Sequence, residues 1–223
     1  TGLFGRYLDG AGRGVVAWLQ RLRPGWQPRR ILDLGCGLGH NTVPLARAFP
    51  YAEVTAIDLA APMLRYGHAR AAGMGVHNIR FMQGNVESLA FADGHFDFVY
   101  STMFFHETSH GALRRILRET DRVLAPGGLH IHLEQPPYRG MGEFEKFLRD
   151  WDCYHNNEPF WTTPHDTHMP TLLGELGFRG DRPFETEIRA KLLARAHETE
   201  PGCEGRHRAC RIGNACSVLP RRG

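Results

Sequence analysis

Five short apolar runs, separated by segments of helical or turn character, constrain the fold of this 223-residue chain more than any other feature. The runs are ILDLG at 31–35, EVTAID at 53–58, IRFMQGN at 79–85, FDFVYSTM at 96–103 and LHIHLE at 129–134. Before the last run, residues 111–125 repeat apolar side chains at the spacing of one helical face. Strands alternating with helices predict βαβ units, and therefore a doubly wound α/β fold with a mostly parallel sheet.

The rest of the chain divides at about residue 190. We expect a single Rossmann-like domain over 1–189, with helices on both faces of the sheet and a cap over the substrate at 143–178. The run PFETEI at 183–188 is a candidate sixth strand. Beyond it the hydrophobic pattern fades. We therefore predict that 190–223 is an irregular tail, disordered or out of the native reading frame, and that the sheet lacks its last strand.

Charge and cysteine content narrow the class of protein. Residues 179–223 carry 10 basic and 6 acidic side chains, whereas the rest of the chain carries 17 and 18. The body therefore offers no basic surface for nucleic acid. No run approaches the length of a membrane-spanning helix, and the opening residues do not resemble a secretory signal. Five scattered cysteines favour reduced thiols and a cytoplasmic protein.

Glycines at every second position follow the first strand, in the string Asp33-Leu34-Gly35-Cys36-Gly37-Leu38-Gly39. Such glycines allow a tight turn and the close approach of a ligand at the carboxyl end of the sheet. A dinucleotide fingerprint aligned on Gly35 and Gly37 needs Gly or Ala at position 40, where His40 stands. Asp58 ends the second strand, where a carboxylate accepts hydrogen bonds from ribose hydroxyls.

In these features the chain resembles the class I S-adenosylmethionine-dependent methyltransferases, including the C-methyltransferases of quinone biosynthesis. The resemblance rests on ILDLGCGLG, VTAIDLAAPML, FMQGNVESLAF, FDFVYS and RVLAPGGLHIHLE, which cover 31–134 in the family's order. It implies S-adenosyl-L-methionine as cofactor and methyl transfer in line to carbon or oxygen of a small-molecule acceptor. The aromatic residues between 151 and 161 favour an acceptor that is aromatic or hydrophobic.

The resemblance also implies roles for individual residues, all at the carboxyl end of the sheet. Asp33 and the loop of Gly35, Gly37 and Gly39 would hold the methionine part, and Ser101 would lie near it. Asp58 would hold the ribose, Leu59 would pack on the adenine, and the N–H of Val86 would face the ring. Asn85 stands where the family has an acid, and its carbonyl can still accept from the adenine amino group.

Candidate catalytic residues follow the fourth and fifth strands. His106 is a candidate general base with Glu107 beside it, and Glu134 is a candidate at the end of the fifth strand. The alternative for the first pair is an ordinary helix start, with Thr108 or Ser109 as N-cap.

The aromatic stretch from Trp151 to Trp161 either walls the acceptor pocket or packs under a helix as core. His165, Asp166 and His168 suggest a surface loop rather than a metal site. The cysteines at 203, 210 and 216 with His207 match no standard zinc spacing, so we predict no metal.

Three functions remain open from the sequence. A methyltransferase acting on a small molecule leads. A cofactor-binding protein without catalysis and an NAD-dependent oxidoreductase are the alternatives, the latter disfavoured by His40.

Overall fold

The computed structural model describes residues 9–134, 138, 140–177 and, by backbone alone, 215–220. The helices are α1 Gly10–Leu22, α2 Thr42–Ala48, α3 Ala61–Gly73, α4 His110–Val123, α5 Glu143–Asn156, α6 Thr162–Asp166 and α7 Met169–Glu175. The strands are β1 Arg30–Leu34, β2 Glu53–Asp58, β3 Ile79–Gln83, β4 Phe96–Thr102, β5 Leu124–Glu134 and β6 Ala215–Pro220, and a 3-10 turn covers Phe105–Glu107.

The strands form one sheet in the order β3-β2-β1-β4-β5-β6, parallel from β3 to β5. The chain winds outward from β1 in one direction and from β4 in the other. The carboxyl ends of β1 and β4 therefore flank the point where the winding reverses, which is where ligands bind in such sheets. The predicted fold class is confirmed.

Apolar residues on both faces of the sheet are buried, as the continuous apolar runs predict. One face packs on α1, α2 and α3 through Val15, Leu19, Val43 and Ala71. The other packs on α4 and α7, and α4 contributes the predicted residues Leu113, Ile116, Leu117 and Val123. Among the described helices, none is long and apolar enough to cross a membrane.

The prediction that the tail contributes no strand is wrong. Residues 215–220 pair antiparallel with β5, from Glu134 opposite Ala215 to Leu129 opposite Pro220. Pairing covers backbone groups of β5 that an open edge would expose. Pro220 is tolerated because it lies at the end of an edge strand. The candidate strand at 183–188, the rest of 190–223 and the domain boundary lie outside the described residues, so these remain predictions.

Candidate active site

The glycine loop between β1 and α2 is shaped by left-handed backbone. Gly35, Gly37 and Gly39 have φ of +65°, +52° and +72°. A Cβ on Gly35 would lie 2.2 Å from the ring of Phe104, so position 35 accepts no side chain. A Cβ on Gly37 would have no neighbour within 4 Å. The loop therefore presents bare backbone to open space at Gly37, as a ligand cradle requires.

Asp33 is the next-to-last residue of β1, directly before this loop, and is 2% exposed. Thr42, in the first turn of α2, donates its hydroxyl to Asp33 Oδ2 at 2.6 Å. Burial raises the pKa of Asp33 to about 7, and the charge of Asp58 adds to the effect while the Thr42 hydrogen bond opposes it. A cation arriving beside Asp33 would stabilise its ionised form. The sequence analysis did not predict that Thr42 donates to Asp33. A hydroxyl residue at the start of the helix that follows the glycine loop could have indicated it.

Asp58 lies against the glycine loop, as expected from its position after β2. Its Oδ2 accepts from Gly37 N–H at 2.8 Å, and its Oδ1 accepts from Ala60 N–H at 2.8 Å. Each carboxylate oxygen keeps a further lone pair for a ligand hydroxyl. The next side chain, Leu59, is apolar and 67% exposed. A carboxylate beside an uncovered apolar surface suits a ribose joined to a flat base.

Two further predicted cofactor residues follow β3. The side-chain carbonyl of Asn85 accepts from Glu87 N–H at 2.9 Å, and it retains a second lone pair. Val86 is buried in the core on the α4 side of the sheet. Gln83 donates to the backbone carbonyl of Leu59 at 2.9 Å, which ties the ends of β2 and β3 together.

Ser101 is buried, and its hydroxyl already has a partner within the sheet. It is 2% exposed, and its hydroxyl is 2.8 Å from His132 Nδ1 on β5. Burial lowers the pKa of His132 well below its usual value and that of His130 to about 3. These histidines are therefore neutral groups within the sheet, and a cofactor contact through Ser101 stays a prediction.

Glu134 and His106 form a buried pair at the ends of β4 and β5. Glu134 Oε1 is 2.7 Å from His106 Nδ1, and Oε2 accepts from Phe104 N–H at 2.9 Å and Phe105 N–H at 2.7 Å. The preceding Met103 has φ of +51°, a conformation that L-residues rarely adopt. Glu134 therefore fixes the backbone that turns out of β4, and this function was not predicted from the sequence.

The imidazole of His106 lies between carboxylates on two sides. Its side chain is 6% exposed, and Nε2 lies 3.7 Å from Oε1 of Glu107, which is 57% exposed. Burial lowers the pKa of His106, but the hydrogen bond to Glu134 and the charges of Glu134, Glu107 and Glu158 outweigh burial and raise it. Ser109 is the N-cap of α4 and accepts from Ala112 N–H, so the helix-start alternative is also correct for Ser109.

The cap packs onto His106 through aromatic rings. Trp161 is 6% exposed, and its ring lies 5.4 Å from His106 in an edge-on arrangement. Trp161 Nε1 donates to the Tyr138 hydroxyl at 2.9 Å, and Tyr138 stacks on His165 at 4.1 Å. Tyr138 also donates to Asp150 on α5. The segment after α5 is thereby joined to the end of the sheet.

Other aromatic residues of the cap lie on the outside. Trp151 and Tyr154 on α5 are 57% and 80% exposed, so the alternative that they pack as core is wrong. Among the residues described, no group of three His, Cys, Asp or Glu side chains is arranged to hold a metal ion. His207 and the cysteines at 203 and 210 lie outside the described part of the chain.

Comparisons with known proteins agree with this geometry. The sequence profile of a family described as a methyltransferase domain matches residues 31–128. The demethylmenaquinone methyltransferase of Thermus thermophilus is 40% identical over 110 residues, which are 49% of this chain and 49% of that protein. The malonyl-[acyl-carrier protein] O-methyltransferase of Methylococcus capsulatus is 38% identical over 117 residues, 52% of this chain and 40% of that protein.

The similarity extends to solved structures. An S-adenosylmethionine-dependent methyltransferase from Aquifex aeolicus superposes with a TM-score of 0.56 at 20% identity, over 76% of this chain and 82% of that one. This likeness shows a shared fold. The chain matches half or less of the length of the two curated relatives above. The residues that the family profile matches include the glycine loop and Asp58.

Proposed function

Since the profile of a methyltransferase domain matches residues 31–128, we propose that this chain transfers a methyl group from S-adenosyl-L-methionine to a small-molecule acceptor. The observation that carries the proposal is the contact between Asp58 and the glycine loop at 2.8 Å, beside the open surface at Gly37. The two relatives are named for methylating demethylmenaquinone and malonyl-[acyl-carrier protein], and neither acceptor is assigned to this chain.

The residues present fit this cofactor. Asp58 would accept from the ribose hydroxyls, Leu59 would pack on the adenine, and Asn85 would accept from its amino group. Asp33 would stabilise the positive methionine end, which runs along the loop at Gly35 and Gly37. Carboxylates at both ends of the loop suit a ligand that carries hydroxyls and a net positive charge.

The bound cofactor supplies an activated methyl group that passes in line to the acceptor. His106 in its neutral form would accept a proton from the acceptor at Nε2, because Nδ1 is held by Glu134. Glu134 would act through His106 by fixing the ring and the turn after β4. Glu107 would adjust the charge at the exposed side of the imidazole.

A cytoplasmic location and a small acceptor rather than nucleic acid belong to the same proposal. Among the residues that the structure describes, Cys36 and Cys153 form no disulfide, and reduced thiols suit a reducing compartment. The near balance of 17 basic and 18 acidic residues before residue 179 supports a small acceptor over a phosphate backbone.

Calorimetric titration with three ligands tests the cofactor. We expect S-adenosylmethionine and S-adenosylhomocysteine to bind with micromolar affinity and NAD to show no heat of binding, because His40 replaces the third small residue of a dinucleotide loop. A well-folded chain that binds NAD instead, or that binds no adenosyl ligand, would refute the proposal.

The affinity for S-adenosylmethionine should rise with pH through about 7. Asp33 has its pKa raised to about 7 by burial. A bound cation lowers that pKa, so binding releases a proton below neutrality and the affinity falls by up to about tenfold per pH unit as the pH decreases. Titrations between about pH 6 and pH 8, in buffers of different ionisation enthalpy, measure both the affinity and the protons released.

Two controls separate this effect from a general loss of folding. Asp33→Asn keeps an acceptor for Thr42 but cannot titrate, so its affinity should not vary with pH. Adenosine has no cationic end, so its weaker binding to the wild type should also be insensitive to pH. An equal pH dependence for adenosine, or for Asp33→Asn, would contradict the assignment of Asp33.

A further inference from the structure

One nitrogen of His106 has no hydrogen-bond partner in the described part of the chain. Glu134 occupies Nδ1 at 2.7 Å, whereas the nearest charged group to Nε2 is Glu107 Oε1 at 3.7 Å, beyond hydrogen-bond distance. The side chain is nevertheless 6% exposed. Nε2 is therefore the nitrogen of His106 that remains able to bind a ligand or a water molecule.

Glu158 presents a second unpaired atom beside it. Its Oε2 is buried and has no hydrogen-bond partner among the described residues. Its backbone is fixed, since Glu158 N–H donates to the Cys153 carbonyl at 3.2 Å and the Cys153 thiol donates back to the Glu158 carbonyl at 3.2 Å. The backbone that carries this carboxylate is therefore held in place, while the described residues supply no donor to Oε2.

The two unpaired atoms belong to one charge cluster. Burial raises the pKa of Glu158, His106 opposes this, and Glu107, Asp152 and Glu134 add to it. Carboxylates on the turn after β4, on β5 and on the cap thus act electrostatically on Glu158, against a single imidazole. Their combined potential is negative, and it favours a positive group over a neutral or negative one.

Resting on the proposed function, we infer that His106, Glu107 and Glu158 form the acceptor end of the site and that the acceptor carries a basic amine at the atom to be methylated. A protonated amine supplies the donors that Glu158 Oε2 lacks. The edge-on ring of Trp161 lies against the same imidazole at 5.4 Å and limits access of water on that side. An acceptor that binds as a phenolate or carboxylate would meet three acids of like sign.

The methyl transfer balances with the groups present. The bound ammonium first gives a proton to His106 Nε2 in its neutral form, which restores the nitrogen lone pair. That pair forms the new nitrogen–carbon bond while the bond from the methyl carbon to sulfur breaks, and sulfur leaves with the bonding pair as a neutral thioether. The proton on His106 then passes to solvent. Glu107 lies on the solvent side of the imidazole, and its side chain is 57% exposed.

Calorimetry on the full chain loaded with S-adenosylhomocysteine tests the acceptor class. The probes are phenethylamine, phenethyl alcohol and hydrocinnamate, which share one ring and differ in the charge at the end of the chain. We expect phenethylamine to bind about tenfold or more tightly than the alcohol, because hydrogen bonds to a charged group exceed neutral ones by about that factor, and hydrocinnamate to bind most weakly.

Two variants localise the preference. Glu158→Gln should lower the affinity for phenethylamine about tenfold and leave that for phenethyl alcohol within about twofold. Glu143→Gln removes a carboxylate of the same cap that is 89% exposed and paired with Lys146, so it should change neither affinity. S-adenosylhomocysteine binding reports whether Glu158→Gln retains the folded cofactor site.

The outcomes separate the two levels of the proposal. Retained S-adenosylhomocysteine binding with equal affinity for the amine and the alcohol, or with tighter binding of hydrocinnamate, overturns the amine acceptor alone. An amine preference that survives in Glu158→Gln also overturns it. Failure of the wild type to bind S-adenosylhomocysteine refutes the proposed function itself.

Discussion

Glu134→Gln is expected to lower the free energy of unfolding by about 3 kcal/mol, a fall in melting temperature of roughly 6–12 °C for a chain of this size. The carboxylate accepts from Phe104 N–H, Phe105 N–H and His106 Nδ1, all within 2.9 Å. The glutamine amide has one oxygen for these donors, and its NH₂ group must face another donor. Urea unfolding monitored by circular dichroism measures the difference.

The effect should depend on pH with a defined sign. The pKa of His106 is raised in the fold, since Glu134 and its neighbours outweigh the opposing effect of burial. The stabilisation that the protonated pair contributes is present in full below the unfolded pKa of about 6.5 and is lost as the pH rises through the folded value. The difference in free energy of unfolding between the wild type and Glu134→Gln should therefore decrease above neutrality. The difference that remains there comes from the hydrogen bonds to the two backbone N–H groups.

Glu107→Gln is the matched control, because Glu107 approaches the same imidazole from the exposed side at 3.7 Å. An exposed ion pair of this kind contributes less than about 1 kcal/mol, so this variant should unfold close to the wild type. If both variants lower the free energy of unfolding by the same amount, Glu134 does not fix the turn after β4. If the stability lost in Glu134→Gln increases with pH, the charged pair of His106 and Glu134 is not the source of that stability.

The sequence was sufficient for the features that depend on local pattern. The alternation of strands with helices and the buried face of α4 follow from hydrophobic periodicity, and right-handed crossovers then favour a parallel sheet. The position of Asp58 beside Gly37 follows as well, because parallel strands bring their carboxyl ends to one edge. These features required no knowledge of contacts between distant side chains.

The features that the sequence did not predict arise from long-range contacts. Glu134 looked like a group that could act on a substrate, whereas the structure commits it to residues 104–106, about 30 positions earlier in the chain. The same limitation applies to the cap. Periodicity could not distinguish the buried Trp161 from the exposed Trp151, since their difference comes from docking on His106.

The strand at 215–220 was missed for a related reason. The run is only six residues long and ends in Pro220, so local propensity does not favour a strand there. Pairing with β5 provides the hydrogen bonds that local propensity does not. An edge strand of this kind is determined mainly by the neighbour that it completes.

Asp58→Ala is expected to weaken S-adenosylhomocysteine binding about 100-fold or more. Two hydrogen bonds from ribose hydroxyls to a carboxylate are together worth about 3 kcal/mol or more, and the substitution also removes the acceptor of Gly37 N–H. Asp58→Asn keeps one side-chain oxygen, so its affinity for S-adenosylhomocysteine should lie between those of the wild type and Asp58→Ala. Asp93→Asn, at a carboxylate that is 77% exposed and paired with Arg122, should bind as the wild type does.

A deoxyribose analogue distinguishes a direct contact from distortion of the glycine loop. If Asp58 binds the hydroxyls, the wild type should prefer S-adenosylhomocysteine to its deoxyribose analogue by about tenfold, and Asp58→Asn should lose most of that preference. If Asp58 only anchors Gly37, the variant weakens both ligands by the same factor and the preference stays. The second result would leave Asp58 as a support of the loop, and the ribose would have to be recognised by another group at the carboxyl end of the sheet.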